Sequence, residues 1–165
     1  MNDTYVEVLV KRKDSLVGKF LRTFTLILAA MFAIFGIILS PVIFIGAIIF
    51  GAIHYVARLR TEVEFEYLYV DKEITIDRIY GKTKRKRAEK IEMERVEIIA
   101  PMNSYQLDSY KNRNIKPIDY SSQIVEQPEK RYVIYYNGVK KIIFEPNPAM
   151  LKAMQMVAPR KVFTN

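Results

Sequence analysis

The sequence contains no cysteine and no tryptophan, and it has a single histidine, His54. Without cysteine, the chain cannot form disulfides, thiolate metal sites, iron–sulfur clusters or cysteine nucleophiles. One histidine cannot supply a histidine-based zinc site or, from its place in the apolar block described next, a Ser–His–Asp triad. The six glycines are scattered and form no phosphate-binding loop. These absences predict a protein that is not an enzyme and that has no cofactor or metal.

Charge is missing from one long block of the chain. Between Thr23 and Ala57 there is no Asp, Glu, Lys or Arg. As one straight helix, this block of about 35 residues would be about 50 Å long, whereas the hydrocarbon core of a bilayer is about 30 Å thick. Two spans fit better, with a reversal at Ser40-Pro41, because proline disfavours helix at the preceding residue. We therefore predict a transmembrane helical hairpin over residues 21–57, with helices at about 21–38 and 41–57.

Small residues recur at a spacing of four in both predicted helices. They are Ala29 and Ala33 in the first helix and Ala47 and Gly51 in the second. This spacing lets helix backbones approach closely in lipid. It fits packing within the hairpin, and it also fits a homo-oligomer.

Basic residues flank the apolar block, and the short connection between the spans has no charge. The flanking residues are Lys11, Arg12, Lys13, Lys19, Arg22, Arg58 and Arg60. By the positive-inside rule, both termini are cytoplasmic and the protein is a two-span protein of the cell membrane. Residues 1–20 then form a basic cytoplasmic arm. A cleaved signal peptide is the alternative, but its apolar core would have only 7–15 residues.

Two features next to the apolar block allow two interpretations each. Apolar and polar residues alternate over residues 5–10, which is typical of a short strand or of a lead-in lying on the membrane surface. His54 lies near the inner end of the second span. An ionisable group in a membrane suggests a proton or ligand role, whereas an interfacial anchor like Tyr55 is the alternative.

Residues 58–165 form a soluble domain that is mainly β in pattern. Asn137-Gly138 suits the tight turn of a β-hairpin, and Asn147-Pro148 can cap and begin a C-terminal helix over residues 147–158. Residues 102–128 are polar and predict a loop with a short helical turn. Alternation predicts strands at 61–70, 73–80, 84–91, 96–100, 131–136 and 140–144.

Six or seven short strands followed by one helix predict a small barrel or sandwich that the helix caps. This order of elements resembles the pleckstrin-homology (PH) fold. The chain also resembles an uncharacterised family of small bacterial membrane proteins, in which two spanning helices precede a PH-like domain. The resemblance implies this fold and no particular activity. It is carried by Tyr5–Lys13 (YVEVLVKRK), Asp108–Lys111 (DSYK), Arg131–Val133 (RYV) and Val157–Phe163 (VAPRKVF).

The net charge of +8 suggests an anionic partner. In a membrane-tethered domain, the densest basic cluster can contact acidic headgroups. The alternatives are a solvated strand edge, and a protein or nucleic-acid partner. Nucleic acid is disfavoured because Tyr69 and Tyr80 lack the arrangement of an RNA-binding motif. The cluster comprises Lys82, Lys84, Arg85, Lys86, Arg87 and Lys90.

The segment Asn103–Asn114 combines aromatic and charged side chains in a predicted loop. It is either a surface for a protein partner or a loop that packs on itself. The residues concerned are Tyr105, Asp108, Tyr110, Lys111 and Arg113.

The sequence thus predicts a membrane-anchored binding or scaffold module, which presents a basic PH-like domain at the cytoplasmic face to acidic lipid or to a membrane protein partner. The alternative is an accessory subunit or assembly factor of a transporter or envelope complex, with the transmembrane hairpin making the contacts.

Overall fold

The computed structural model describes residues 5–124, 126–127 and 130–164. The chain divides into two compact units. One consists of Asp14–Val63 and Tyr80–Lys84, and it contains two long helices. The other contains Glu64–Ile79 and the described residues before 14 and after 84, and it is mainly β.

Helix α1 spans Leu16–Ile38 and helix α2 spans Pro41–Thr61. The Ser15 hydroxyl caps α1 by accepting a hydrogen bond from the Gly18 N–H at 2.9 Å. Ser40 caps α2, which has Pro41 at its first position. The open end of the pair is the one where α1 begins and α2 ends. There both helices extend past the charge-free block, because Lys and Arg are good helix formers. The predicted helix bounds lie near the ends of the charge-free block, whereas the observed helices continue into the charged residues beside it.

Both helices are long and apolar enough to cross a membrane. Every residue of the pair is described, and the buried ones are Gly18, Thr25, Gly36 and Ala57. Most large apolar side chains are exposed instead, among them Ile37 at 78% and Val42 at 72%. Exposed apolar surface of this extent marks an interaction with a membrane or another apolar partner. The two helices therefore indicate membrane association.

Eight strands form two four-stranded sheets in the described part of the chain, where the sequence predicted six or seven strands. The first sheet has the order β1-β2-β3-β4 and the second the order β5-β7-β8-β6. The strands are β1 Val6–Lys11, β2 Val63–Val70, β3 Glu73–Tyr80, β4 Lys84–Glu92, β5 Val96–Pro101, β6 Pro117–Asp119, β7 Tyr132–Tyr136 and β8 Lys140–Phe144.

The first strand precedes the helices and its partner follows them. β1 pairs antiparallel with β2, with Val6 opposite Tyr69 and Lys11 opposite Glu64. The alternation at residues 5–10 is therefore that of a strand. The helical pair is an insertion between two neighbouring strands of one sheet.

Local turn chemistry places the remaining elements where the sequence predicts them. Asn137 and Gly138 have φ of 54° and 71°, as the tight β7–β8 hairpin requires. The long loop holds a 3₁₀ turn at Tyr105–Leu107, the short helix α3 at Asp108–Lys111 and the short strand β6. Asn147 accepts from the Met150 N–H at 2.7 Å and so caps α4, Pro148–Val157.

The core of the β unit lies between the two sheets. Phe65, Tyr67 and Tyr69 alternate inward along β2 and are buried. The Tyr67 ring meets the Phe144 ring of the other sheet edge-on, with centroids 5.7 Å apart. α4 buries one apolar face, and after it the Phe163 N–H donates to the Ile99 carbonyl at 2.8 Å. This is a mainly β domain with a C-terminal helix, as predicted.

Candidate functional site

The turn between β3 and β4 begins the basic run. Gly81 and Lys82 adopt left-handed backbone, with φ of 55° and 62°. The Gly81 N–H donates to the Glu62 carbonyl at 2.7 Å. A Cβ at Gly81 would lie 2.8 Å from the Leu59 side chain of α2, so this turn packs closely against the end of α2. Lys82 and Lys84 are therefore held beside the charged end of the second apolar helix.

The basic run divides into paired and unpaired cations. Arg85 lies 2.7 Å from Glu66 of β2, across β3. Arg87 lies 3.5 Å from Asp77, and Lys90 lies 2.8 Å from Glu73, both on β3. These three cations balance carboxylates on the outer face of their own sheet, which weakens their attraction for an external anion.

The other three cations of the run are exposed. Lys82, Lys84 and Lys86 have no carboxylate within 4.0 Å among residues 5–124, 126–127 and 130–164. Their charge is available to a ligand. The sequence identifies the cluster. It does not distinguish these three lysines from the paired cations, because the carboxylates that form the pairs lie on neighbouring strands.

Glu66 is the most buried carboxylate on that face, with a relative exposure of 9%. Burial raises the pKa of its carboxyl group, and the nearby Arg85 opposes that shift by lowering the pKa. The Arg85–Glu66 pair is thus part of the structure of the sheet. Arg85 is correspondingly a weak candidate for binding a phosphate.

The loop residues singled out by the sequence largely pack on one another. Arg113 lies 4.6 Å from the Tyr110 ring centroid and 2.8 Å from Glu97. The Tyr110 ring packs against the Tyr135 ring at a tilt of 33°, with centroids 4.8 Å apart. Lys111 and Asp108 pair at 2.5 Å, one turn apart on α3.

Tyr105 differs from its neighbours, with 75% of its surface exposed. The packing of the rest favours the self-packed interpretation of this loop. Tyr105 is the member of the predicted set that a partner could reach most readily.

The helical pair is tightest at three glycines. A Cβ at Gly36 would lie 2.7 Å from the Phe44 backbone, one at Gly18 would lie 2.8 Å from Thr61, and one at Gly46 would overlap the Phe32 ring. The small residues singled out by the sequence, Ala29, Ala33, Ala47 and Gly51, are half-buried. A Cβ at Gly51 would meet nothing within 4 Å.

A polar network joins the open ends of the two helices, and the sequence did not predict it. Arg22 of α1 pairs with Glu62 and, at 2.9 Å, with Asp14. Arg58 reaches the other oxygen of Glu62 at 3.0 Å. The only sequence signals were the positions of these residues next to the apolar block and the i,i+4 spacing of Arg58 and Glu62.

His54 belongs to the same end of the pair. Its Nδ1 lies 3.0 Å from the Arg22 carbonyl oxygen. Because a carbonyl only accepts, Nδ1 must carry the proton and donate. The Thr25 hydroxyl lies 3.4 Å from the same nitrogen and donates to the Leu21 carbonyl at 2.8 Å. His54 therefore fixes α2 to α1.

Within the described ranges, no three His, Asp or Glu side chains converge as a metal site would require. The arrangement offers cation and hydrogen-bond donor chemistry at a helix end and a strand turn. It suits the binding of an anion.

Comparison with known protein families agrees with this architecture. The family described as "Bacterial PH-like domain (DUF6106)" matches residues 2–164. The chain belongs to this family. The bacterial PH-like family consists of uncharacterised proteins, and the match covers the helical pair as well as the strands. No curated protein and no solved structure matches the chain significantly. PH-like domains are generally non-catalytic and generally bind lipids or proteins.

Proposed function

We propose that this bacterial PH-like protein is a membrane-anchored binding module, whose domain engages acidic phospholipid headgroups through Lys82, Lys84 and Lys86. The observation that carries the proposal is the packing of the β3–β4 turn against the end of α2. If α2 spans the bilayer, this turn is placed where the chain leaves the membrane. Its lysines are then within reach of the headgroups.

The strand pairing supports a two-span arrangement. β1 and β2 belong to one sheet, so the segments before and after the helices must fold on the same side of a membrane. An even number of crossings satisfies this condition, and a single crossing does not. Removal of a signal peptide would delete β1. With the positive-inside rule, these points favour a cytoplasmic domain with both termini on that side.

The magnitude of headgroup binding can be estimated from charge. Each basic residue near an anionic surface contributes about 1 kcal/mol, so three lysines contribute about 3 kcal/mol. This corresponds to about a 100-fold change in affinity. The effect is sensitive to salt, because exposed charges are screened over about 8–10 Å at physiological ionic strength.

The test uses a soluble version of the domain that keeps β1. Lys13 and Glu62 are joined by an Asn-Gly turn in place of the helices, because β1 and β2 are antiparallel neighbours at this point. Cosedimentation is measured with phosphatidylglycerol–phosphatidylcholine vesicles and with phosphatidylcholine vesicles across a salt series. Cooperative thermal unfolding establishes that the domain is folded.

Lys82, Lys84 and Lys86 are replaced with glutamine together, and binding to anionic vesicles should fall by about 100-fold. The matched control replaces three exposed cations elsewhere, Lys116, Lys152 and Arg160, and changes the net charge equally. If both variants lost vesicle binding equally, binding would depend only on net charge, and the proposed surface would be refuted.

The position of Gly51 supports a second function, that of an accessory subunit of a membrane complex. Its missing side chain faces open space rather than α1, which suits close approach by another helix. An accessory subunit would use Ala47 and Gly51 for such contacts. Gly51→Leu should then abolish copurification of a membrane partner while the helical pair stays intact, and unchanged copurification would reject this role.

A further inference from the structure

A cavity of about 470 Å³ opens at the charged end of the helical pair. On α1 its lining changes from charged to apolar over Lys19 to Leu26, a rise of about 10 Å along the helix. His54 and Arg58 line it from α2. The complete lining is Lys19, Arg22, Thr23, Leu26, His54, Arg58 and Glu62.

The carboxylates near the cavity are already engaged. Arg22 occupies one oxygen of Glu62 and pairs with Asp14, and its side chain is only 15% exposed. Arg58 takes the second Glu62 oxygen through Nε. The guanidinium of Arg22 is thus neutralised on both sides. Its role is to hold the two helices together.

Two cationic groups remain for a ligand. Lys19 has no carboxylate within 4.0 Å among the described residues. Arg58 uses Nε for Glu62, is 51% exposed at its side chain, and keeps its two terminal nitrogens. Counting Asp14, Lys19, Arg22, Arg58 and Glu62, the site retains one positive charge when His54 is neutral.

We propose that this cavity binds one phospholipid, with its phosphate held by Lys19 and Arg58 and the start of its acyl chains beside Leu26. The change from charge to apolar surface along the cavity matches the polarity of such a molecule. A soluble phosphate ester would satisfy the two cations but would leave the apolar end unfilled. The inference rests on the proposed membrane anchoring, and it is separate from the β3–β4 lysines.

The test uses full-length protein, purified in mild detergent and depleted of lipid. Native mass spectrometry follows its titration with phosphatidylglycerol, with dioleoylglycerol and with glycerol 3-phosphate. We expect one phosphatidylglycerol bound per chain, with both other compounds at least tenfold weaker. The variant Lys19→Gln/Arg58→Gln should lose at least tenfold in affinity for phosphatidylglycerol.

Arg60→Gln is the matched control for Lys19→Gln, because each removes one charge, and Arg60 lies in the last turn of α2 but does not line the cavity. It should bind phosphatidylglycerol as the unaltered chain does. Lys19→Gln alone provides a second variant should the double variant lose helical circular dichroism, since Lys19 is exposed. It should bind at least threefold more weakly.

Three results would overturn the inference. Equal affinity for dioleoylglycerol would show that phosphate is not recognised, and equal affinity for glycerol 3-phosphate would assign the cavity to a soluble ester. Equal losses in Arg60→Gln and Lys19→Gln would leave only a general charge effect. The helix-free domain lacks Lys19 and Arg58, so its vesicle binding succeeds or fails independently of this site.

Discussion

The packing of the two helices depends most sharply on Gly36. In a Gly36→Ala variant, the new Cβ would lie 2.7 Å from the Cα and N of Phe44, whereas ordinary contact begins at 3.4 Å. The neighbour is backbone and cannot rotate away, so the helices must move apart by about 0.7 Å at this level. Overpacking of this kind costs about 1–3 kcal/mol. The equilibrium constant for separation of the two helices should increase by roughly 5-fold to 150-fold.

Gly51→Ala makes the same chemical change at a site with the opposite environment. A Cβ there meets nothing within 4 Å, so no contact has to give way. Alanine is also the better helix former by at most about 1 kcal/mol. This variant should be neutral or slightly more stable than the original chain.

Separation can be measured by energy transfer between dyes on cysteines introduced at Ile27 and Ile53, which are 52% and 43% exposed. The absence of native cysteine makes the labelling specific. Protein in mild detergent is titrated with sodium dodecyl sulfate. Gly36→Ala should separate at a lower fraction of this detergent, and Gly51→Ala should not. Equal midpoints for the two variants would refute the assigned packing.

Three further predictions concern topology and the β unit. A single cysteine at Ser40 should react with a membrane-impermeant maleimide added to intact cells, whereas one at Thr83 should react only after lysis; the reverse pattern would exclude a cytoplasmic domain. Tyr67→Phe removes the hydroxyl that donates to the Tyr120 carbonyl at 2.6 Å. A buried hydrogen bond contributes about 0.5–1.5 kcal/mol, so the free energy of urea unfolding of the helix-free domain should fall by that amount, and no change would contradict the contact. Burial raises the pKa of the Glu66 carboxyl above its ordinary value of 4.5. The folded domain therefore binds the carboxyl proton more tightly than the unfolded chain does. As a result, the stability of the fold decreases as the pH rises above 4.5. Glu66→Gln should therefore make unfolding midpoints at pH 4.5 and pH 7 more alike, and an unchanged difference would assign the pH dependence to other groups.

Much of the fold could be predicted because local chemistry and tertiary structure agree. Asn137-Gly138 forms the predicted tight turn, and Asn147 caps the predicted helix. The inward alternation along β2 is that of the buried side chains. In each case the signal lies within a few neighbouring residues and requires no distant partner.

The candidate site could be predicted only in outline, because its chemistry depends on distant partners. Arg85 and Lys84 are adjacent in sequence, yet the carboxylate that pairs with Arg85 comes from β2. Arg22 and Glu62 are 40 positions apart and meet only because the helices are antiparallel. Likewise, the pattern around Val8 allowed a strand but could not specify that its partner follows both helices.

The insertion of the helices between β1 and β2 has a consequence for biosynthesis. β1 emerges from the ribosome before both apolar helices, and its partner strand is made only after them. Pairing across so long an intervening segment is entropically slow. During translation β1 must stay unpaired until β2 has been completed and, if the helices span a bilayer, until both of them have been inserted. Correct membrane insertion, which brings both ends of the hairpin to one side, would then be the event that permits the first sheet to close.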